Sequence, residues 1–159
     1  MPIKEYSQAG VSAVAGSSRP SHGRSSSGPG YPSFPPMKKA LVEFIGTFFL
    51  VFTIGMAVRS GSSLAPVAIA AGLIAVIYAG GHVSGAHFNP AVTLAAFLRG
   101  KCPKGDILPY LVAQFLAAIS AAALTCWIAG EVAAPALRAT FPSAVVEFLF
   151  TFALCWVIL

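Results

Sequence analysis

Four long apolar runs restrict the fold of this chain more than any other feature of its sequence. A helix rises about 1.5 Å per residue, so runs of this length reach across most of a hydrocarbon core of about 30 Å. A soluble helix of the same length would carry a polar face, and these runs carry none. The sequence therefore predicts an all-α membrane protein with spans at residues 40–58, 64–80, 107–129 and 143–159.

The composition agrees with a membrane protein and excludes several other classes. Of the 159 residues, 57% are hydrophobic and only 9% are charged, whereas soluble domains are about one quarter charged. The net charge of +5 does not indicate a nucleic-acid partner, because the basic residues do not form a stripe interleaved with aromatic residues. Cys102, Cys126 and Cys155 are too few and too scattered to predict a disulfide framework or a metal site.

The first 37 residues are rich in Ser, Gly and Pro and show no hydrophobic period, which predicts a disordered tail ahead of a membrane domain at residues 38–159. Basic residues near the spans set the orientation of such a domain. Their excess on one side places the N-terminus and the link between the second and third spans in the cytoplasm. These residues are Lys38, Lys39, Arg99, Lys101 and Lys104, against Arg59 and Arg138 on the other side.

The fourth apolar run repeats the first. Glu147 lies 104 positions after Glu43, and eight of sixteen positions are identical between residues 40–55 and 144–159. A shared Glu, Thr and Ala in one register is more than similar composition produces. The copies begin three spans apart and so cross the membrane in opposite directions, which is typical of an inverted-topology repeat.

A glycine-rich segment, residues 80–88, separates the second run from a short apolar helix and is predicted to be irregular. Asn89 suits a helix N-cap and Pro90 the first helical residue, while Gly100 suits the C-terminal cap. The helix, residues 90–99, would be about 15 Å long, or half a bilayer. We interpret it as a re-entrant element; an ordinary cytoplasmic loop followed by a short surface helix is the alternative.

This re-entrant segment predicts a pore, because irregular backbone at membrane depth occurs only inside protein or beside a water-filled cavity. We expect loop carbonyl oxygens and the Asn89 amide to line it at the midplane, with the positive helix end opposing cations. The pore-lining backbone is expected from Gly85, Ala86, His87 and Phe88, beside the motif Asn89, Pro90 and Ala91.

Two acidic residues within apolar runs need a role, since a carboxyl in a membrane is costly. Glu43 is expected to be a buried acceptor for the loop N–H groups, with Glu147 as its counterpart; the alternative is that Glu43 reaches the headgroups. Gln114 supports the same loop or contacts another helix. His82 is expected at the cytoplasmic mouth. It does not form a metal site with His87, because the i, i+5 spacing lacks a third ligand.

The run Ser-Gly-Ala-His-Phe-Asn-Pro-Ala-Val-Thr, residues 84–93, resembles the first signature of the aquaporin or major intrinsic protein family. The first span, from Val42 to Leu50, and the pair Ala113 and Gln114 resemble that family too, so the likeness covers residues 38–159. The motif sequences resemble those of bacterial members of the family. The resemblance implies a right-handed helical bundle of six spans and two half-helices, built from two inverted repeats.

The same resemblance implies a homotetramer in the inner membrane that needs no cofactor and conducts single-file water or small polyols past two asparagines. Only the first, Asn89, is present, because its repeat would fall near position 193. The arginine of the selectivity constriction and the last two spans would also lie beyond Leu159. We therefore expect a truncated gene sequence and a chain that does not conduct by itself; a natural half-channel that dimerises is the alternative.

A passive channel fits the sequence better than two other classes. An inverted-repeat secondary transporter would place coupling acids near the midplane, and the second and third runs hold none. An enzyme would need an acid, base or nucleophile set, whereas His82, Ser84 and His87 have no orienting carboxylate nearby in sequence, so no catalytic residue is predicted.

The choice of permeant depends on the residues that line the constriction of the pore. The resemblance and gapless counting place one constriction residue at Ile69, or at its small neighbours Ala68 or Ala71. A strict water pore of the family often has an aromatic side chain there. We expect water as the permeant, together with small neutral solutes, and a glycerol or small-polyol facilitator as the alternative.

Overall fold

Five α-helices make up the part of the protein that the computed structural model describes, residues 34–130 and 141–158, and this part holds no strand. All but the third are long and apolar enough to cross a membrane, which confirms the predicted all-α, multi-pass class. The tail at residues 1–33 and the loop at residues 131–140 lie outside the described residues. The helices are α1 (Pro36–Arg59), α2 (Ala65–Ser84), α3 (Pro90–Leu98), α4 (Lys104–Ala129) and α5 (Phe141–Ile158).

Helices α1 and α4 begin about one turn earlier than their apolar runs, and α5 begins at Phe141 instead of residue 143. Helix α1 begins at Pro36, inside the predicted tail, and α4 begins at Lys104 instead of residue 107. Pro36 occupies the first turn of α1, and Pro103 is the N-cap of α4. Proline is well suited to a helix start, because its φ is already helical and its missing N–H would have no partner there. Hydrophobicity alone misses these turns because they carry lysines.

The second span ends later than predicted. Helix α2 continues through Ser84, so the prediction that residues 80–88 are irregular is wrong for their first half. His82 therefore lies in the last turn of a helix, where it is exposed, and not in a loop. Irregular backbone is confined to residues 85–89.

Glycine persists in these helices because the backbones pack closely together. A Cβ atom at Gly80 would meet the side chain of Val42 on α1 and would lie 3.3 Å from the ring of Phe88. A Cβ atom at Gly46 on α1 would overlap the same ring. The two glycines thus form a notch in which the Phe88 ring, only 3% exposed, is held. Small residues at helix interfaces serve this close approach in membrane proteins.

Helix α1 is the centre of the packing, since it contacts both α2 and α4. At one end, Lys39 Nζ lies 2.9 Å from Asp106 Oδ2. At the other end, the Arg59 guanidinium donates to the carbonyl oxygens of Thr125 at 3.2 Å and Gly130 at 3.3 Å. Because their starts meet at one end and their ends at the other, α1 and α4 run parallel.

The interface between α1 and α4 uses a stripe of small side chains. Ala113, Ala117 and Ala121 recur every four residues along α4, and all three are buried. Near the end of the stripe, Gly55 on α1 faces Thr125, whose hydroxyl donates to the Ala121 carbonyl at 2.8 Å. Small side chains thus let α1 and α4 approach closely, as they do at other helix interfaces in membranes.

Helices α3 and α5 pack against each other, and α3 also contacts α4. Every described residue of α5 is at least partly exposed. Side chains of the two helices line an open groove of about 780 Å³. The opposite direction of the repeat stays a prediction.

The notch predicts which glycine tolerates a side chain. Gly46→Ala should lower the free energy of unfolding by about 1–3 kcal/mol, because the added methyl overlaps the Phe88 ring. Gly105→Ala, in the first turn of α4, places its methyl in open space and should leave stability equal or higher. Thermal unfolding of the two variants in one detergent checks this, and equal stability would show that the Phe88 ring has room to move.

Candidate functional site

The half-length helix α3 begins at a side-chain cap. Asn89 has extended backbone, with φ −153° and ψ 131°, and its Oδ1 accepts the N–H of Ala91 at 2.8 Å. Pro90 follows as the first helical residue. This geometry confirms the predicted N-cap. It also leaves the Asn89 Nδ2 group without a hydrogen bond to any described residue.

The other end of α3 closes in a left-handed turn. The helix ends at Leu98, one residue before the predicted end, and Gly100 has φ 69°. The Gly100 N–H donates to the Phe97 carbonyl at 2.9 Å, and the Lys101 N–H donates to the Ala96 carbonyl at 2.8 Å. This pair of bonds is the Schellman motif, so the predicted cap at Gly100 is confirmed.

The loop between α2 and α3 owes its shape to left-handed backbone at three residues. Gly85, Ala86 and Phe88 have φ values of 91°, 53° and 47°. Glycine adopts this region freely, but a residue with a Cβ atom pays roughly 1–2 kcal/mol. The strained conformations of Ala86 and Phe88 therefore require outside contacts that hold them.

The carboxylate of Glu43 holds Phe88 directly and Ala86 through the Ser84 hydroxyl, which accepts the Ala86 N–H at 3.1 Å. Its Oε1 accepts the Ser84 hydroxyl at 2.7 Å and the His87 N–H at 3.0 Å. Its Oε2 accepts the Phe88 N–H at 2.6 Å and Gln114 Nε2 at 2.9 Å. Glu43 is 0% exposed, and each of its two oxygens accepts two hydrogen bonds, so its acceptor capacity is met within the protein.

Gln114 and Thr93 extend this network to α4 and α3. Besides its bond to Glu43, Gln114 Nε2 donates to Thr93 Oγ1 at 2.9 Å. The Thr93 hydroxyl donates to the Asn89 carbonyl at 3.2 Å, and His87 Nδ1 lies 3.2 Å from the same hydroxyl oxygen. One buried network thus joins α1, the loop, α3 and α4. Of the two roles considered for Gln114, its direct hydrogen bonds are to other helices, at Glu43 on α1 and Thr93 on α3, and it reaches the loop only through Glu43.

Tyr110 belongs to the site although the sequence analysis did not include it. Its hydroxyl donates to the Ser84 carbonyl at 2.7 Å, and its ring meets the His87 ring edge to face with centroids 5.3 Å apart. The side chain is 1% exposed. Its position one turn before Gln114, on the same helix face, is the signal that could have identified it.

An ion pair that the sequence analysis did not identify lies near the starts of α1 and α4. Asp106, the one aspartate of the chain, pairs with Lys39 and is itself buried. Cys102 is buried nearby, and this burial, with a smaller effect of Asp106, raises the pKa of its thiol above the usual value. A thiol with a raised pKa is protonated and unreactive at neutral pH.

Four carbonyl groups of the loop have no donor. The oxygens of Gly85, Ala86, His87 and Phe88 accept no hydrogen bond from the described residues. The flanking carbonyl of Ser84 accepts one and that of Asn89 accepts two. The loop N–H groups of His87 and Phe88 are taken by Glu43. The N–H groups of the loop therefore fix it to Glu43, while its carbonyl oxygens remain available as hydrogen-bond acceptors.

The remaining predicted residues lie apart from this network. Glu147 is exposed, lines the groove between α3 and α5, and has no hydrogen bond or ion pair with the described residues. Its role in supporting a loop stays a prediction. Ile69 is half-buried in the first turns of α2. The described part of the chain contains no group of three metal-ligating side chains.

Comparison with known proteins assigns a family. Residues 31–159 match the family described as Major intrinsic protein. The aquaporin Z of Rhodopseudomonas palustris is 45% identical over 114 residues, which cover 66% of this chain and 48% of that protein. Aquaporin NIP1-4 of Oryza sativa is 39% identical over 140 residues, or 80% of this chain and 51% of that protein.

A third relative carries a different name. The glycerol uptake facilitator protein-like 6 of Lactiplantibacillus plantarum is 37% identical over 131 residues, which cover 72% of this chain and 60% of that protein. The chain thus spans about half the length of the curated relatives it matches.

Replacement of Glu43 should destabilise the site. In Glu43→Gln one oxygen becomes an NH₂ group, and either orientation of the amide turns this donor toward two of the four donors that surround the side chain. We expect the free energy of unfolding to fall by about 3 kcal/mol. Thermal unfolding in detergent measures this, and hydrogen exchange should quicken at the His87 and Phe88 amides.

The same substitution at the repeated glutamate is the matched control. Glu147→Gln changes the same atoms on an exposed side chain without a described partner, so stability and loop exchange should not change. Equal losses in the two variants would refute the view that the loop depends on Glu43.

Proposed function

Because the chain belongs to the major intrinsic protein family, we propose that it forms part of a passive transmembrane channel for water and is not an enzyme. The observation that carries this proposal is the row of loop carbonyl oxygens that accept no hydrogen bond from a described residue, beside the Asn89 Nδ2 group, which donates none to one. Buried carbonyl groups rarely lack a partner, so oxygens left free at membrane depth call for water or a permeant.

The groups of the loop suit a single file of water. The carbonyl oxygens from Gly85 to Phe88 would accept hydrogen bonds from water, and Asn89 Nδ2 would donate one to a water oxygen. The bond from the Ala91 N–H to Asn89 Oδ1 fixes the amide so that its NH₂ group is the part left free. The N-terminus of α3 adds a positive potential that opposes cations, protons included.

The proposed role of Glu43 is to hold the loop and not to touch the permeant. All four of its partners are protein donors, and its side chain is fully buried. Gln114 is proposed to act with it. Glu147 is proposed to do the same in the second repeat, and His82, exposed at the end of α2, to stand at the cytoplasmic mouth.

Orientation and assembly are also part of this proposal. The parallel helices α1 and α4 both begin on the side that carries Lys38, Lys101 and Lys104, which the positive-inside rule assigns to the cytoplasm. We propose an inner-membrane protein with a cytoplasmic N-terminus that functions as a homotetramer, and a channel domain over residues 38–159 that follows a tail.

A glycerol or small-polyol facilitator is the second candidate. Ile69, the proposed constriction residue, is aliphatic, and one relative is named as glycerol uptake facilitator-like. An aliphatic side chain leaves room for a carbon backbone where an aromatic ring would fill the pore. Water remains the first candidate because three of the relatives are named aquaporin Z.

Osmotic swelling of vesicles tests conduction. We expect proteoliposomes with a chimera, in which residues 38–158 replace the matching segment of the Rhodopseudomonas palustris relative, to show water permeability well above empty vesicles and a low activation energy. The chain alone should match empty vesicles. Asn89→Asp in the chimera should lower permeability severalfold, because Asp keeps the cap but loses the amide donor. A folded chimera with the flux of empty vesicles would contradict the proposal.

The width of the pore is tested at Ile69. In the same chimera, Ile69→Phe should reduce glycerol flux more than water flux, because the larger ring narrows the constriction. Val67→Phe is the control, since Val67 is exposed on α2 and two residues away from Ile69. The proposal that Ile69 lies at the constriction would be contradicted if Ile69→Phe reduced the fluxes of water and glycerol equally. It would also be contradicted if Ile69→Phe and Val67→Phe had equal effects.

A further inference from the structure

A second feature of the protein is an apolar groove of about 470 Å³ between the first halves of α1 and α4. It lies on the face of α1 that carries Leu41 and Phe44, whereas Glu43 points into the buried network of the site. The groove is thus separate from the candidate pore. Its lining consists of Met37, Ala40, Leu41, Phe44, Leu108, Pro109, Val112, Ala113 and Leu116.

The groove walls are suited to hydrocarbon. Most lining side chains are exposed, among them Met37 at 80% and Leu108 at 70%. Helices α1 and α4 both have the length and apolarity of membrane spans, so this face lies at the depth of acyl chains. A long apolar groove there fits an acyl chain, and a polar ligand would leave its groups unpaired.

The mouth of the groove is positively charged. Lys104 lies on the same stripe of α4 as Leu108 and Val112, at successive i+4 positions, and Lys38 precedes Leu41 by one turn of α1. Both lysines are exposed, and neither forms an ion pair with a described residue. The N-termini of α1 and α4 lie at this end, so their dipoles add to the charge.

The nearby acid does not cancel this charge. Asp106 is buried and already paired with Lys39, at 2.9 Å. The ion pair also ties the starts of the two helices together. The mouth therefore carries two positively charged lysine side chains beside the apolar groove.

From these contacts we infer that the groove binds a phospholipid with an anionic headgroup. Its phosphate would lie between Lys38 and Lys104, and one acyl chain would follow the groove past Leu108 and Val112. A basic pocket between spans on the cytoplasmic side is typical of such recognition. A second copy of the chain is a poorer occupant, because parallel insertion about a twofold axis would bring its own lysines to the same mouth.

Lipid retention by the purified chain tests the inference. Native mass spectrometry from a non-ionic detergent would compare phosphatidylglycerol with phosphatidylcholine of the same acyl chains. We expect the anionic lipid to bind more tightly, and the combined substitution Lys38→Ala and Lys104→Ala to weaken it by about fivefold for each lysine removed. Phosphatidylcholine binding should change little.

A second pair of variants separates this site from the net charge of the protein. Arg99→Ala with Lys101→Ala removes the same charge from the same side but not from the groove mouth, and should leave the preference for phosphatidylglycerol intact. An equal loss in both double variants would overturn the proposal.

A substitution that fills the groove tests whether an acyl chain of the lipid lies in it. Ala40→Trp places a large ring among the lining residues and should weaken both lipids, while Ala122→Trp, at an exposed position further along α4, should weaken neither. Undiminished lipid binding by Ala40→Trp would overturn the proposal. So would a chain dimer that excludes lipid and that Ala40→Trp dissociates, because a second copy would then be the occupant.

Discussion

The buried carboxylate of Glu43 is the interaction on which the rest of the candidate pore depends. It accepts one bond from the end of α2, two from the loop and one from α4, so a single side chain on α1 ties three other segments together. The left-handed backbone of Ala86 and Phe88 would be unfavourable in an isolated peptide. It persists because the carboxylate takes the loop donors, and this leaves the carbonyl oxygens for a permeant.

The Glu43 carboxylate can accept these hydrogen bonds only where the helices approach closely. Small residues at the helix interfaces make this close approach possible. The alanine stripe of α4 brings Gln114 to Glu43, and the notch at Gly46 and Gly80 receives the Phe88 ring. The same loop residue therefore fixes both the packing, through its ring, and the polar network, through its N–H. Fold and site are not separable here, because a change in the notch would move the atoms that Glu43 must reach.

Local signals predicted much of this arrangement, and they failed where distant contacts decide. The caps at Asn89 and Gly100 depend on neighbours within a few residues, so the sequence alone indicated them. The end of α2 was missed because the glycine-rich composition of residues 80–88 predicts irregular backbone, whereas Gly80 is a contact point with α1. Tyr110 was missed because its partner, the Ser84 carbonyl, is 26 residues away.

Glu43 and Glu147 show which properties of the protein follow from its sequence and which follow only from its tertiary structure. Sequence alone established the apolar spans, the half-helix and the repeat that relates Glu43 to Glu147, because length, periodicity and capping are properties of consecutive residues. Tertiary structure alone decided that Glu43 is buried among four donors while Glu147 is exposed on α5. Similar local sequence gives different surroundings, because burial and hydrogen bonding are set by the segments that pack around a side chain.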